Sequence, residues 1–179
     1  MKGEDYFSFF GMKPAFFIDE AALKRSYYLN SRKYHPDHSG LDDDNTVMDM
    51  AEYNNRAYKT LADFHTRMEY ILREIAGIDL TGIRLEGAFL MEMMEINEKI
   101  GDLRTEADRQ ELDEIRELTE ARMSEMLEEI TPMLEAYDRD EGRAKPDNAV
   151  AEYFLKRKYL LRIQESLDNF AAPECRYDL

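Results

Sequence analysis

Apolar residues in this chain return at intervals of three and four, the period of helices laid against a core. They do not alternate with polar residues over turn-bounded runs, as strands would. Asp5 is placed to cap a short helix over 6–10, closed by Gly11, and Lys13-Pro14 then opens a loop. Asp19 caps a second helix that ends near Tyr34, because Pro36 cannot continue it and restrains His35. The polar run HPDHSGLDDDN at 35–45 reads as an exposed loop. A third helix is expected over 46–61 and another helical stretch over 67–75, before Gly77.

Residues 77–84 read as a connector, and helical patterns resume over 85–101, 105–141 and 147–170. Gly101-Asp102 separates the first two, and Gly142 with Pro146 the last two. Pro132 lies inside the long middle helix and is expected to kink or split it. Leu112, Ile115, Leu118, Met123, Met126, Leu127, Ile130, Met133, Leu134 and Tyr137 keep helical spacing along it. Three helices joined by short loops pack as an antiparallel bundle. The expected fold is therefore all-α. A helical hairpin with short flanking helices occupies 1–76, a connector 77–84, and a three-helix bundle 85–179.

Composition narrows what such a fold does. The single cysteine, Cys175, excludes an internal disulfide framework and a cysteine-based metal site, and suits a reducing compartment. The apolar runs fall short of the ~18–20 residues that span a bilayer, and MKGEDYFSFF carries no signal or transit pattern. A cytoplasmic, bacterial setting is the expectation. The formal charge of −15 argues against nucleic acid and anionic membranes as partners. That charge is uneven: residues 1–84 hold 14 acids and 11 bases, residues 85–179 hold 25 and 13. Between 20 and 36 the sign reverses, with Lys24, Arg25, Arg32 and Lys33 against Glu20 alone, which suits docking on an acidic protein surface.

The most informative segment is AALKRSYYLNSRKYHPD, residues 21–37. A basic amphipathic helix runs into Tyr34-His35-Pro36-Asp37, then a polar loop, then a helix containing AYKTLAD at 57–63. With DYFSFFGM ahead of it, this order resembles a J-domain. Leu23, Tyr27 and Tyr34 are expected on the inward face of a hairpin whose tip presents His35, Pro36 and Asp37. Pro36 stiffens that turn, and Asp37 offers a carboxylate for a charge-assisted hydrogen bond. The resemblance implies that this surface, with Lys24, Arg25, Arg32 and Lys33, stimulates ATP hydrolysis by a DnaK-class chaperone. His35 and Asp37 as a catalytic dyad lack a nucleophile or second acid, and His35 with His38 as a metal site lacks thiols and a rigid frame. No catalytic residue, metal or cofactor is expected.

The second half is more specific. RMEYILREIAGIDL (67–80) followed by AFLMEMMEINEKI (88–100) resembles the HscB family, J-proteins of iron–sulfur cluster assembly. The resemblance implies that the C-terminal bundle binds an IscU-type scaffold and that the J-domain delivers it to an HscA-type chaperone. Carried over position by position, the scaffold surface comprises Leu90, Met91, Met94, Glu95, Glu98 and Asp102, with Tyr159 from KRKYL at 156–160. Leu90 and Met94 share one helix face, with Met91, Glu95, Glu98 and Asp102 along an adjoining one. The plainer alternative makes Phe89, Met93, Ile96 and Ile100 core, with Leu90 and Met91 merely extending it. A J-protein with a different dedicated or unfolded client is the competing function.

Two departures from the J-domain pattern stand out. Asn30 and Asn54 occupy positions usually apolar between the second and third helices. Since a buried unpaired amide costs about 1–3 kcal/mol, they are expected to hydrogen-bond to each other. Phe64 stands where the family often has proline, which leaves the end of the third helix open.

Overall fold

The computed structural model describes residues 5–35, 44–103, 109–140 and 145–171. The order is α1 (Tyr6–Phe9), α2 (Glu20–Lys33), α3 (Asp44–Ala62), α4 (Phe64–Tyr70) continuing into a π-helical turn (Ile71–Ile75), a 3₁₀ turn (Leu80–Gly82), α5 (Gly87–Asp102), α6 (Arg109–Arg139) and α7 (Asn148–Ala171). Among the described residues there is no strand, and the fold is all-α.

Local chemistry sets the boundaries. The Asp5 carboxylate accepts from the Phe7 and Ser8 amides at 3.0 and 3.1 Å, and Asp19 accepts from the Ala22 amide at 2.9 Å. At the end of α1, Gly11 takes φ 67°. Its N–H donates to Ser8 O and the Met12 N–H to Phe7 O, a Schellman closure that needs the left-handed residue. Phe64 is the first residue of α4, behind the N-cap Asp63, whose carboxylate accepts from the Thr66 amide at 2.8 Å. That first helical position is the one proline favours, so Phe64 replaces a proline there at no loss of helix hydrogen bonding. Pro132 does not split α6, which is continuous from Arg109 to Arg139.

Contacts divide the chain into two compact units: Met1–Asp79 with Met133–Asp147, and Leu80–Pro132 with Asn148–Leu179. The change at Asp79–Leu80 falls inside the expected connector, whereas the grouping of 133–147 with the first unit carries a hydrophobic and a polar anchor absent from the sequence reading. Tyr137 lies 4.9 Å from Phe16 between ring centroids, and Leu134 is fully buried. Asp138 accepts from the backbone N–H groups of Phe16 (2.7 Å) and Phe17 (2.9 Å). From the other side, Arg67 in α4 donates through Nε to Phe16 O at 3.0 Å and through its terminal nitrogen to Leu61 O near the end of α3. Burial pushes the Asp138 carboxyl above the usual carboxylate range, against the pull of both amides and of the Arg67 charge. Arg67 is only 4% exposed, with its guanidinium 5.6 Å from the Phe64 ring centre.

The remaining core of the first unit is α2 against α3, closed at one end by α1. Phe7, Leu23, Val47, Ala57, Leu61, Met68 and Ile71 are buried. Tyr6 stacks on Tyr70 at 4.5 Å, and the Tyr6 amide donates to the Tyr70 hydroxyl, whose pKa burial raises to about 12. Asn54, 1% exposed, does not pair with Asn30. Its amide donates to Ser31 Oγ at 3.0 Å and Tyr27 O at 3.3 Å, while Ser31 Oγ itself donates to Tyr27 O at 2.9 Å. The expected Asn–Asn bond is replaced by Ser31 because that hydroxyl, one residue further along α2, already sits against the Tyr27 carbonyl. Asn54 Oδ1 finds no partner among the described residues.

In the second unit, α5, α6 and α7 supply Phe89, Met93, Ile96, Leu112, Ile115, Met126, Phe154, Leu160 and Ile163 to one core. Arg116 of α6 reaches Asp168 of α7 at 2.7 Å. The stripe on α6 differs from the expected one at two places. Leu118 and Met133 are 55% and 45% exposed, while Thr119 is fully buried with its hydroxyl bonded to Ile115 O at 2.7 Å. Four residues after Ile115 places Thr119 on the buried line, and a hydroxyl that bonds back along the helix is satisfied there.

Asp138→Ala leaves two amides without their acceptor and the Arg67 charge without a nearby carboxylate, and is expected to cost about 2–4 kcal/mol, read as a lower urea midpoint. A loss below about 1 kcal/mol would mean that solvent replaces the carboxylate. Asn54→Leu removes a polar group that is half-satisfied. It is expected to leave stability within about 1 kcal/mol of wild type, by the same measurement.

Candidate partner-binding surfaces

In the first unit, α2 turns its charged side outward. Lys24, Arg25, Arg32 and Lys33 are all exposed, and His35, just past the C-cap Tyr34, is exposed at the end of the same helix. Pro36 and Asp37 lie outside the described residues. The helix forms here because Asp19 caps its start and Arg32 and Lys33 sit in its last turn, where cations suit the helix dipole. Leu23 and Tyr34 are buried at 1% and 8%, which leaves the opposite face to the solvent. Tyr27 is half-buried, stacked on Tyr58 at 4.3 Å, with its hydroxyl donating to Asn55 Oδ1 at 2.9 Å. Two of the cations have neighbours: Arg25 stands 3.7 Å from Asp19, both well exposed, and the Lys33 amine 5.0 Å from the Tyr34 ring centre.

Sequence reasoning overlooked two residues on this face, Tyr28 and Leu29, which are 56% and 66% exposed. Their signal is in the spacing. Lys24, Tyr28 and Arg32 form one row at intervals of four, and Arg25, Leu29 and Lys33 form the next.

In the second unit, α5 divides cleanly. Phe89, Met93 and Ile96 are buried and Ile100 is half-buried, so the core role expected of them holds. Met91 and Met94 nevertheless stand 64% and 63% exposed and do not extend that core. Glu95, Glu98 and Asp102 continue their line in solvent, and Leu90 is half-buried beside it. Tyr159 of α7, 39% exposed, meets Phe89 edge to face with ring centroids 6.2 Å apart. Lys156 lies 5.7 Å from the Phe89 ring centre and 3.9 Å from the Glu86 carboxylate, placing one cation at the N-terminal end of the stripe, and Lys99 is exposed among the carboxylates at its other end. Exposed methionines edged by carboxylates make an adaptable apolar surface whose rim favours a basic partner.

Among the described residues no group of three or more His, Cys, Asp or Glu side chains is arranged to hold a metal ion, and no helix is long and apolar enough to cross a membrane.

Residues 85–168 match the family model described as the HSCB C-terminal oligomerisation domain. The chain is 32% identical over 173 residues to the co-chaperone protein HscB homolog of Shewanella sp. (strain ANA-3), covering 91% of this chain and 98% of that one. It is 30% identical over 170 residues to the human iron–sulfur cluster co-chaperone protein HscB, covering 91% of this chain and 67% of the human protein. The crystal structure of the human protein matches with a TM-score of 0.76 at 27% identity, over 97% of this chain and 85% of that one. Chaperone HscB from Vibrio cholerae, at 22% identity, shares the fold with a TM-score of 0.73 over 94% and 98% of the two chains.

Proposed function

This chain belongs to the HscB family of co-chaperones of iron–sulfur cluster assembly, and on that premise we propose that it joins an IscU-type scaffold to an HscA/DnaK-class ATPase. The observation that carries this reading is the pair of unlike exposed surfaces on one chain. A cationic helix face runs into His35, and a methionine stripe edged by carboxylates lies on α5.

The first surface docks on the ATP-bound chaperone. Lys24, Arg25, Arg32 and Lys33 steer it onto an acidic face, and His35, Pro36 and Asp37 engage the partner at the tip. The protein supplies no catalytic group of its own: docking favours the conformation in which the partner hydrolyses ATP, and the energy comes from that hydrolysis. The second surface holds the scaffold. Leu90, Met91, Met94 and Tyr159 give it apolar contact, and Glu95, Glu98 and Asp102 give it a rim that orients a basic counterpart. Binding scaffold and chaperone through one chain raises the local concentration of each for the other. Hydrolysis then locks the scaffold on the chaperone and promotes cluster transfer.

The alternative, a J-protein with another dedicated or unfolded client, keeps the first surface and changes only the occupant of the second.

His35→Gln is expected to abolish stimulation of the chaperone's ATPase, by at least about tenfold, with the melting temperature unchanged because the residue is exposed. Normal stimulation by that variant removes His35 from the mechanism. The triple variant Leu90→Ala/Met91→Ala/Met94→Ala is expected to weaken scaffold binding in calorimetric titration by about 100-fold or more while the protein stays folded. Absent binding by the unmodified protein, to apo or cluster-loaded scaffold, would favour the alternative client.

A further inference from the structure

We infer that Tyr28 and Leu29 form the apolar centre of the chaperone-docking face of α2, and that the matching partner surface is an apolar contact framed by carboxylates. The inference rests on the reading of α2 as the docking helix and adds what holds the complex once charge has brought it together.

Three observations carry it. The first is placement: the two residues occupy the middle of two adjacent rows, Lys24-Tyr28-Arg32 and Arg25-Leu29-Lys33, each cation–apolar–cation. The four cations are thus spaced one helical turn on either side of the pair. The second is exposure. At 56% and 66%, Tyr28 and Leu29 face solvent together, whereas Leu23 and Tyr34 of the same helix account for its buried side. The third is order. The Tyr28 ring leans on Tyr27 at 5.4 Å between centroids, and Tyr27 is itself stacked on Tyr58 and bonded to Asn55. A ring held this way loses little freedom on binding, so more of its contact energy appears as affinity.

An apolar centre inside a charged rim is the usual division of labour in protein interfaces. The centre is desolvated and sets how slowly the complex dissociates, while the rim sets how fast it forms and how strongly salt weakens it. Four cations around the pair fix the sign of the partner's rim. They exclude a second copy of this face, which would bring like charges together, and they favour a protein surface bearing carboxylates. Phosphate-rich partners fit poorly with an apolar centre on a chain of formal charge −15.

The test measures ATPase stimulation of a DnaK-class chaperone from the same source against the concentration of full-length protein, at low and at physiological salt. Tyr28→Gln/Leu29→Gln keeps good helix formers at exposed sites and is expected to raise the half-saturating concentration about tenfold or more. Maximal stimulation and the salt dependence should be retained. Arg32→Ala/Lys33→Ala is expected to flatten the salt dependence instead. Leu29→Met, which preserves apolar volume, should stay within about twofold of wild type. A double glutamine variant that half-saturates within about twofold of wild type, while wild type stimulates normally, overturns the inference and leaves the docking helix in place. Wild type that fails to stimulate any such chaperone overturns both. A dimer in sedimentation that the glutamine variant dissolves would assign the pair to self-association and overturn the inference as well.

Discussion

Arg67 and Asp138 hold one short stretch of backbone from opposite sides, and the first unit is organised around that grip. The guanidinium takes the Phe16 carbonyl and the Leu61 carbonyl near the end of α3; the carboxylate takes the amides of Phe16 and Phe17. Two residues later Asp19 caps α2. The start of the helix that carries the cationic face is therefore set by side chains 51 and 122 positions away in sequence. Neither charge is individually cheap to bury. Together, with three backbone groups between them, each satisfies the other's surroundings, which is why removing one costs more than the bond it makes.

Much of this protein is legible in its sequence because its helix ends are written in single residues. Asp5, Gly11 and Asp19 do what their types do best, and the buried faces of α2 and α5 follow from intervals of three and four. What escaped was set by tertiary geometry. Asn54 found Ser31 instead of Asn30, a choice of one residue along a helix that spacing cannot make. Thr119 took the buried place beside Ile115 and left Leu118 in solvent, since the line of burial follows the helix phase and tolerates a hydroxyl that bonds to its own backbone. Asp138 sits in a helix full of acids, and nothing local distinguishes the one carboxylate there that is half-buried. The candidate surfaces were legible in part. The cations and His35 came from motif and spacing and the methionine stripe from the family resemblance, whereas the exposure of Tyr28 and Leu29 required knowing which side of α2 the core occupies.

The two surfaces differ in the way they would hold a partner. On α2 the apolar area is small, central and ringed by positive charge; on α5 it is a methionine line with negative charge running beyond it. Opposite signs on the two surfaces would keep two such partners apart, because a rim that attracts one repels the other.

The π turn at Ile71–Ile75 bears on how this chain can change length. There the Ala76 amide donates to Ile71 O and the Ile78 amide to Leu72 O, each reaching further back than an α-helix allows, and Gly77 takes φ 62° to complete the exit. One turn accordingly stores about one residue more than an α-helical turn would. Loss of a single residue within it would return the segment to ordinary α geometry and still leave a helix. Because the wide turn holds its extra residue without changing the phase of what flanks it, the buried Met68 and Ile78 would keep close to their present faces. A helix that stores a spare residue in this way can lose it without breaking and without turning the buried residues beyond it out of the core.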